Sequence, residues 1–249
     1  VIGVLGGIGP LATVHFLDRV VRLTDAERDQ DHVDLVVLQH ASVPDRTAFL
    51  LGRSDDDPGA VLAADARRLA AWGASAIVLP CNTADAFRDE LLATVDVPVV
   101  SIVERTVTAA LAHGADTRDG RPGGGEPVAV GVLATEGTVA AGVYDRELAA
   151  RGARQVLPSG ADQRIVTGII YDQVKRGRPS DGAALRGVIE RLRAAGARRV
   201  VLGCTELSVA AGEHGLLADP VVVDSVEALA TDTVRRAGRR LRLDRNRPG

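Results

Sequence analysis

The chain has 249 residues, 46 % of them apolar and 25 % charged, with a net charge of −3 at pH 7. That is enough apolar material for the core of one large domain or of two ordinary lobes. No stretch approaches the roughly 18–20 apolar residues of a membrane span, and no basic stripe runs along the chain, so neither a membrane nor nucleic acid is an expected partner. Aromatic residues make up 2 % of the chain, so the packing must be aliphatic.

Val1-Ile2-Gly3-Val4-Leu5 reads as a short buried strand, followed by the turn Gly6-Gly7-Ile8-Gly9-Pro10. A helix should follow over Leu11 to Asp25, with Leu11, Val14, Leu17 and Val21 on one side. The segment Gly7-Ile8-Gly9-Pro10-Leu11-Ala12 fits the G-x-G-x-x-A pattern of dinucleotide sites. Against that, the second strand, Val33 to Leu38, ends in Gln39-His40 with no acidic residue to hold a ribose. Pro10 also removes one N–H from the turn. A tight turn for a small anion fits these residues better than a nucleotide site does.

The polar loop Gln39 to Arg46 places Arg46 at the same sheet edge. There it is either a solvated surface residue or a bidentate grip for a carboxylate. Asp55-Asp56-Asp57-Pro58-Gly59 reads as a turn and helix entry, and helix 60–72 leads into the strand Ala76-Ile77-Val78-Leu79-Pro80-Cys81. A helix from Thr83 to about Thr94, strand Val97 to Val100 and helix Val103 to His113 continue a β-α alternation. Such a pattern calls for a parallel sheet with helices on both faces.

Asp116 to Glu126, with Gly123-Gly124-Gly125, is the one clear linker. Val128 to Leu133 then echoes the first strand. Helices are expected near 138–151, 160–176 and 181–195, then the strand ending at Cys204, the strand Val221 to Val223 and a last helix over Ser225 to Arg240. The tail Leu241 to Gly249 is Arg-rich and expected to fray.

The second half contains a copy of a unit in the first. Arg67 to Cys81 recurs as Glu190 to Cys204, 123 residues later, with Leu69, Gly73 and Cys81 matched by Leu192, Gly196 and Cys204. Two similar α/β lobes related by an approximate two-fold follow from this. Ligands of open parallel sheets bind beyond the carboxyl ends of the strands. Facing lobes would therefore present both cysteines to one cleft. A buried cysteine is commonly a small hydrophobe, yet two at equivalent strand ends, each followed by a threonine, point to chemistry. A helix N-terminus there favours a thiolate or carboxylate, and Asn82, Thr83 and Thr205 add donors.

Glu206 is placed to orient a thiol or an ammonium group, or else to cap a helix. Lysine occurs once, at Lys175, in a chain that otherwise uses arginine. That is either chance or a role a guanidinium cannot fill. The two cysteines form no C-x-x-C pair. His15, His32, His40, His113 and His214 form no spaced set, so neither a metal site nor a Ser-His-Asp triad is expected. Reduced thiols suit the cytoplasm.

Together these residues resemble the aspartate/glutamate racemase family, its aspartate racemase branch above all, over nearly the whole chain. The match comprises Gly6 to Pro10 with Ala12-Thr13, Pro44-Asp45-Arg46-Thr47, Pro80-Cys81-Asn82-Thr83-Ala84, Gly137-Thr138-Val139, Tyr171 to Gly177, and Gly203-Cys204-Thr205-Glu206-Leu207. The resemblance implies an α/β fold of two pseudo-symmetric lobes, each a mainly parallel sheet flanked by helices, with the active site between them. It implies lobes over 1–102 plus 225–249 and over 103–224, the last helix returning to the first lobe, in a homodimer.

The implied activity is racemisation of aspartate, glutamate or a similar acidic amino acid without cofactor or metal. One of Cys81 and Cys204 would remove the α-proton and the other would reprotonate the opposite face. Asn82, Thr83 and Thr205 would hold the α-carboxylate, Arg46 and Lys175 the side-chain carboxylate, with Thr47 and Glu206 beside them and Thr13 and Thr138 in the pocket wall. A cis–trans isomerase or decarboxylase of small diacids on the same fold is the alternative. Two positions depart from the family pattern: Asp85 replaces a histidine and Ile8 a methionine. An inward-pointing Asp85 would raise the thiol pKa of Cys81.

Overall fold

The computed structural model describes residues 1–112 and 127–242. The expected linker, Asp116 to Glu126, and most of the tail, 243–249, lie outside the described residues. The first half runs β1 (Ile2–Gly6), α1 (Pro10–Leu23), β2 (Leu35–Gln39), α2 (Arg46–Leu50), α3 (Pro58–Ala71), β3 (Ala76–Val78), α4 (Arg88–Leu92), β4 (Val99–Val100) and α5 (Ile102–Ala112). The second runs β5 (Val128–Ala134), α6 (Glu136–Ala140), α7 (Val143–Ala150), β6 (Ala153–Val156), α8 (Gly160–Gly168), α9 (Gly182–Ala194), β7 (Arg199–Gly203), α10 (Thr205–Glu213), β8 (Val222–Asp224) and α11 (Ser225–Arg236).

The strands form two sheets of four, ordered β2-β1-β3-β4 and β6-β5-β7-β8, with every pairing parallel. The order repeats, as the duplicated unit requires. Each cysteine follows the third strand in spatial order. Strand alternation sends one face of each sheet inward and the other outward. Ile2, Val4 and Val78 of the first sheet and Val130, Val132 and Val201 of the second share a middle core, built with α1, α5, α7 and α11. Leu5 and Ile77 face outward under α3, whereas Leu133, Val200 and Leu202 face outward under α8 and α9. Helix α11 packs against both α1 and α5, tying the end of the chain to its beginning. Among the described residues no helix is long and apolar enough to cross a membrane.

Local departures from the expected elements have physical causes. Strand β3 stops at Val78 because Pro80 has no N–H for a ladder, and the Cys81 N–H bonds back to the Leu79 carbonyl at 2.8 Å. The expected helix from Thr83 begins as a 3-10 turn, Thr83–Phe87, before becoming α4. The edge strand β6 was not expected: Ala153-Arg154-Gln155-Val156 has two polar residues in four and no apolar run. The last helix ends at Arg236, and Gly238 is in the left-handed region (φ +70°) just beyond it.

The expected face of α1 is corrected. Leu11, Val14 and Val21 are about half exposed, and Ala12, Thr13, Phe16 and Val20 are the buried set. Two stripes of helical spacing compete on this helix. The one carrying Phe16, its largest apolar side chain, turns inward.

Candidate active site

The glycine turn is shaped by close approach. Gly7 has φ +89°, and a Cβ there would sit 2.4 Å from the His40 backbone nitrogen. Thr13 fastens the turn: its Oγ1 accepts from the Gly7 N–H at 2.9 Å and donates to the Gly9 carbonyl at 3.1 Å. Ile8 is thereby held over the carboxyl ends of the strands. Asp45 caps α2 by accepting from the Ala48 N–H at 2.8 Å, which fixes Arg46 and Thr47 in the first turn. On the other side, α8 continues into a π-helical turn, Ile169–Gln173, a form common at functional sites. It places Tyr171 and Lys175 together, with the Lys175 Nζ 4.4 Å from the centre of the Tyr171 ring.

These segments enclose one small cavity between the lobes, lined by both Cys81 and Cys204. Its free volume is about 10 Å³, room for about one water. Both thiols are free, and their residues are 7 % and 5 % exposed. The Cys204 Sγ donates to Glu206 Oε2 at 3.0 Å, and Thr205 Oγ1 lies 3.4 Å from the same oxygen. Burial pushes the Cys204 thiol well above its ordinary value, and the Glu206 charge adds to this against the opposing Lys175 ammonium. Burial lowers Lys175, but the Glu206 carboxylate, with Tyr171 and Cys204, together outweighs it, so the ammonium is held above its usual range. Burial likewise raises Tyr171.

One wall is a cluster of hydroxyls from both lobes. Thr83 Oγ1 lies 3.0 Å from Thr135 Oγ1 and 2.9 Å from Thr138 Oγ1, and Thr135 and Thr138 are 2.9 Å apart. Thr47 donates to Thr135 at 3.3 Å. Gly137 lets α6 approach this closely, since a Cβ there would come within 2.7 Å of the Thr47 Cα. Arg46 is buried, with its guanidinium on the carbonyls of Val43, Pro44 and Ile8 and its Nε without a partner. Among the described residues neither Arg46 nor Lys175 forms an ion pair with a carboxylate. The cavity thus carries two cations and two carboxylates, Asp45 and Glu206, together with several hydroxyls and two thiols, a set suited to a small charged substrate. Among the described residues no group of three or more His, Cys, Asp or Glu side chains could hold a metal ion.

The model of the Asp/Glu/Hydantoin racemase family matches residues 5–233. The chain belongs to that family. Similar proteins include the broad specificity amino-acid racemase RacX of Bacillus subtilis, 28 % identical, covering 94 % of this chain and 96 % of that one. A glutamate racemase of Deinococcus radiodurans is 33 % identical over 73 % of this chain, which spans 59 % of that protein's length. Among solved structures, the aspartate racemase of Picrophilus torridus superposes with a TM-score of 0.80 at 29 % identity, covering 97 % of this chain and 95 % of that one.

In this Asp/Glu racemase family member, Cys81, Cys204, Arg46, Thr47, Asn82, Thr83, Lys175, Thr205 and Glu206 all line the cavity. Thr13 and Thr138 do not; Thr13 holds the turn behind Ile8, and Thr138 stands behind Thr83. The Asn82 side chain is taken up within the protein, accepting from the Tyr144 hydroxyl at 2.6 Å and donating to Ser225 Oγ at 3.0 Å. Asp85 turns away from the cavity, its Oδ2 accepting from Ser101 Oγ at 3.0 Å.

Sequence reasoning gave no site role to Ile8, Asp45, Thr135 and Tyr171, which also line the cavity. Thr135 follows the end of β5, the counterpart of the strand that feeds the glycine turn, so the repeat marked its place. Tyr171 lies one helical turn before Lys175 and shares its face.

Proposed function

We propose that this protein racemises an acidic amino acid without a cofactor, with Cys81 and Cys204 as the acid/base pair. The observation that carries the reading is the convergence of the chain's two cysteines on one small cavity that also holds Arg46 and Lys175, neither in an ion pair among the described residues. Removing a proton α to a carboxylate requires a base in contact with that carbon, and inversion requires a donor on the other face. One thiolate takes the α-proton, the electron pair delocalises into the carboxylate, and the second thiol returns a proton to the opposite side. Donors on the carboxylate oppose the charge that builds up.

Thr83, Thr135 and Thr205 supply hydroxyl donors for the α-carboxylate. Arg46 and Lys175 face the side-chain carboxylate. The Cys204 thiol donates to Glu206 and so enters as the proton donor.

The similar proteins are named as racemases of aspartate, of glutamate and of amino acids broadly, which supports an amino acid as substrate. The same reading has the chain acting in the cytoplasm as a homodimer, with lobes over 1–102 plus 225–249 and over 103–224. Incubation of the pure protein with one enantiomer of aspartate or glutamate in D2O, without pyridoxal phosphate, should give both enantiomers with deuterium at the α-carbon. Absence of exchange on every amino acid tested overturns the reading.

A further inference from the structure

We propose that the groove beside the catalytic cavity is the side-chain compartment of the site, and that it takes dicarboxylic amino acids longer than aspartate, of the α-aminoadipate and α-aminopimelate class. The inference rests on the racemase reading and adds the substrate class to it. The cavity that holds the two thiols is too small for any amino acid as it stands. The groove next to it has a free volume of about 440 Å³. The two share one partition, made by Ile8, Asp45, Arg46, Lys175 and Glu206. A substrate with its α-carbon between the thiols can extend into the groove by passing that partition.

The partition favours an acceptor atom. Its two acids are committed, Glu206 to Cys204 and Thr205, and Asp45 to the Ala48 N–H. Its two cations have no carboxylate partner among the described residues, and the Arg46 Nε has no partner of any kind. An aspartate carboxylate reaches these groups and no further.

Beyond them the groove offers apolar walls for methylene groups, including Ala41, Val43 and Val174. It then meets the start of α1. Gly9 caps that helix without a side-chain bond and Pro10 has no N–H, so the N–H groups of Leu11 and Ala12 remain without an acceptor among the described residues. Free N–H groups at the positive end of a helix dipole suit a carboxylate. A longer chain therefore passes the partition, lays its methylenes on apolar surface and brings its one side-chain carboxylate to the donors at the helix start.

The test is a chain-length series on the intact protein: aspartate, glutamate, α-aminoadipate and α-aminopimelate, each followed by α-deuterium uptake in D2O. kcat/KM should rise by about tenfold or more from aspartate to α-aminoadipate, a lower bound on the worth of the two added methylene groups in an apolar site. Two substitutions at exposed groove positions probe the place. Ala41→Phe fills the groove, and Leu11→Glu puts a like charge beside the helix start while suiting the helix dipole. Each should lower the ratio of kcat/KM for α-aminoadipate to that for aspartate by about tenfold. A rate that falls steadily beyond aspartate, or variants that slow the whole series equally, would overturn the assignment. Exchange with aspartate alone removes only the groove inference, whereas exchange with none of the four removes the racemase reading beneath it.

Discussion

The Cys204 thiol donates a hydrogen bond to the Glu206 carboxylate at 3.0 Å, whereas the acidic residue that follows Cys81, Asp85, turns away and accepts from Ser101. The duplicated unit therefore delivers two thiols in unlike surroundings. Glu206 raises the Cys204 thiol both by its charge and by accepting its proton, in addition to burial. Glu206→Gln removes the charge while keeping an acceptor. The thiol should then ionise at lower pH, so the limb of the pH–rate profile that reports Cys204 should move in the acid direction. Turnover should fall by about 10²-fold in the direction that uses Cys204 as base, the ordinary scale for a lost general-base partner. Initial rates from each enantiomer across a pH series measure both effects. Equal losses in both directions with an unmoved limb would reduce Glu206 to a packing role.

The two cysteines make a second, sharper prediction. If both touch the α-carbon from opposite faces, Cys81→Ser and Cys204→Ser should each lower racemisation by about 10²–10⁴-fold, because inversion needs both groups. The folded state should tolerate these near-isosteric changes, which circular dichroism and melting temperature can verify. Turnover that survives in Cys204→Ser and is lost in Cys81→Ser would favour a one-cysteine isomerase or decarboxylase on the same fold.

Asp85 yields a stability prediction with a defined sign. Burial raises its carboxyl from 3.8 to about 6, with the Ser101 hydrogen bond and Arg88 opposing the shift only in part. A folded-state pKa above the unfolded one means that the native protein binds the proton more tightly. The resulting destabilisation is absent below pH 4, grows as pH rises towards 6 and is complete above it. Asp85→Asn keeps an acceptor for Ser101 and carries no charge to desolvate. It should stabilise the protein at pH 8 by about 1–2 kcal/mol and leave it unchanged near pH 4. Urea titrations at the two pH values decide it; a variant equally or less stable at pH 8 contradicts the desolvation argument.

What the sequence made legible follows from what repetition and strand ends encode. The copy of Arg67–Cys81 at Glu190–Cys204 carried the doubled sheet order and the meeting of the cysteines, because each strand end is set by its own hydrophobic run. Arg46 and Lys175 were legible as unusual charges in unusual places. Other features depend on partners distant in sequence. The inward face of α1 is chosen by its packing on α11, and β6 exists only because β5 offers an open edge. Nothing local announced Tyr144 and Ser225 as partners of the Asn82 amide, since they lie 62 and 143 residues further along the chain. Thr138 drew notice as part of a motif, yet Thr135, three residues earlier, is the one that lines the cavity.

Tyr144 offers the means to separate scaffold from substrate contact. It is 1 % exposed, its hydroxyl donates to the amide of Asn82 beside Cys81, and its ring edge lies where a Cβ on Gly203, beside Cys204, would approach to 2.9 Å. One side chain from α7 thus touches the residues next to both thiols and sets the spacing of the two cysteine units. Tyr144→Phe keeps the ring but leaves the buried Asn82 Oδ1 unsatisfied, which costs about 1–3 kcal/mol. For a chain of this size that corresponds to a melting temperature lower by roughly 2–4 °C per kcal/mol. KM should stay within about twofold, since the Asn82 amide is committed to the protein and uniform binding is untouched. Gly203→Ala forces the ring away and should lower kcat by about tenfold or more through misplacement of Cys204, with a smaller effect on KM. A Tyr144→Phe variant of unchanged stability with a much higher KM would mean that the Asn82 side chain leaves Tyr144 to meet the substrate.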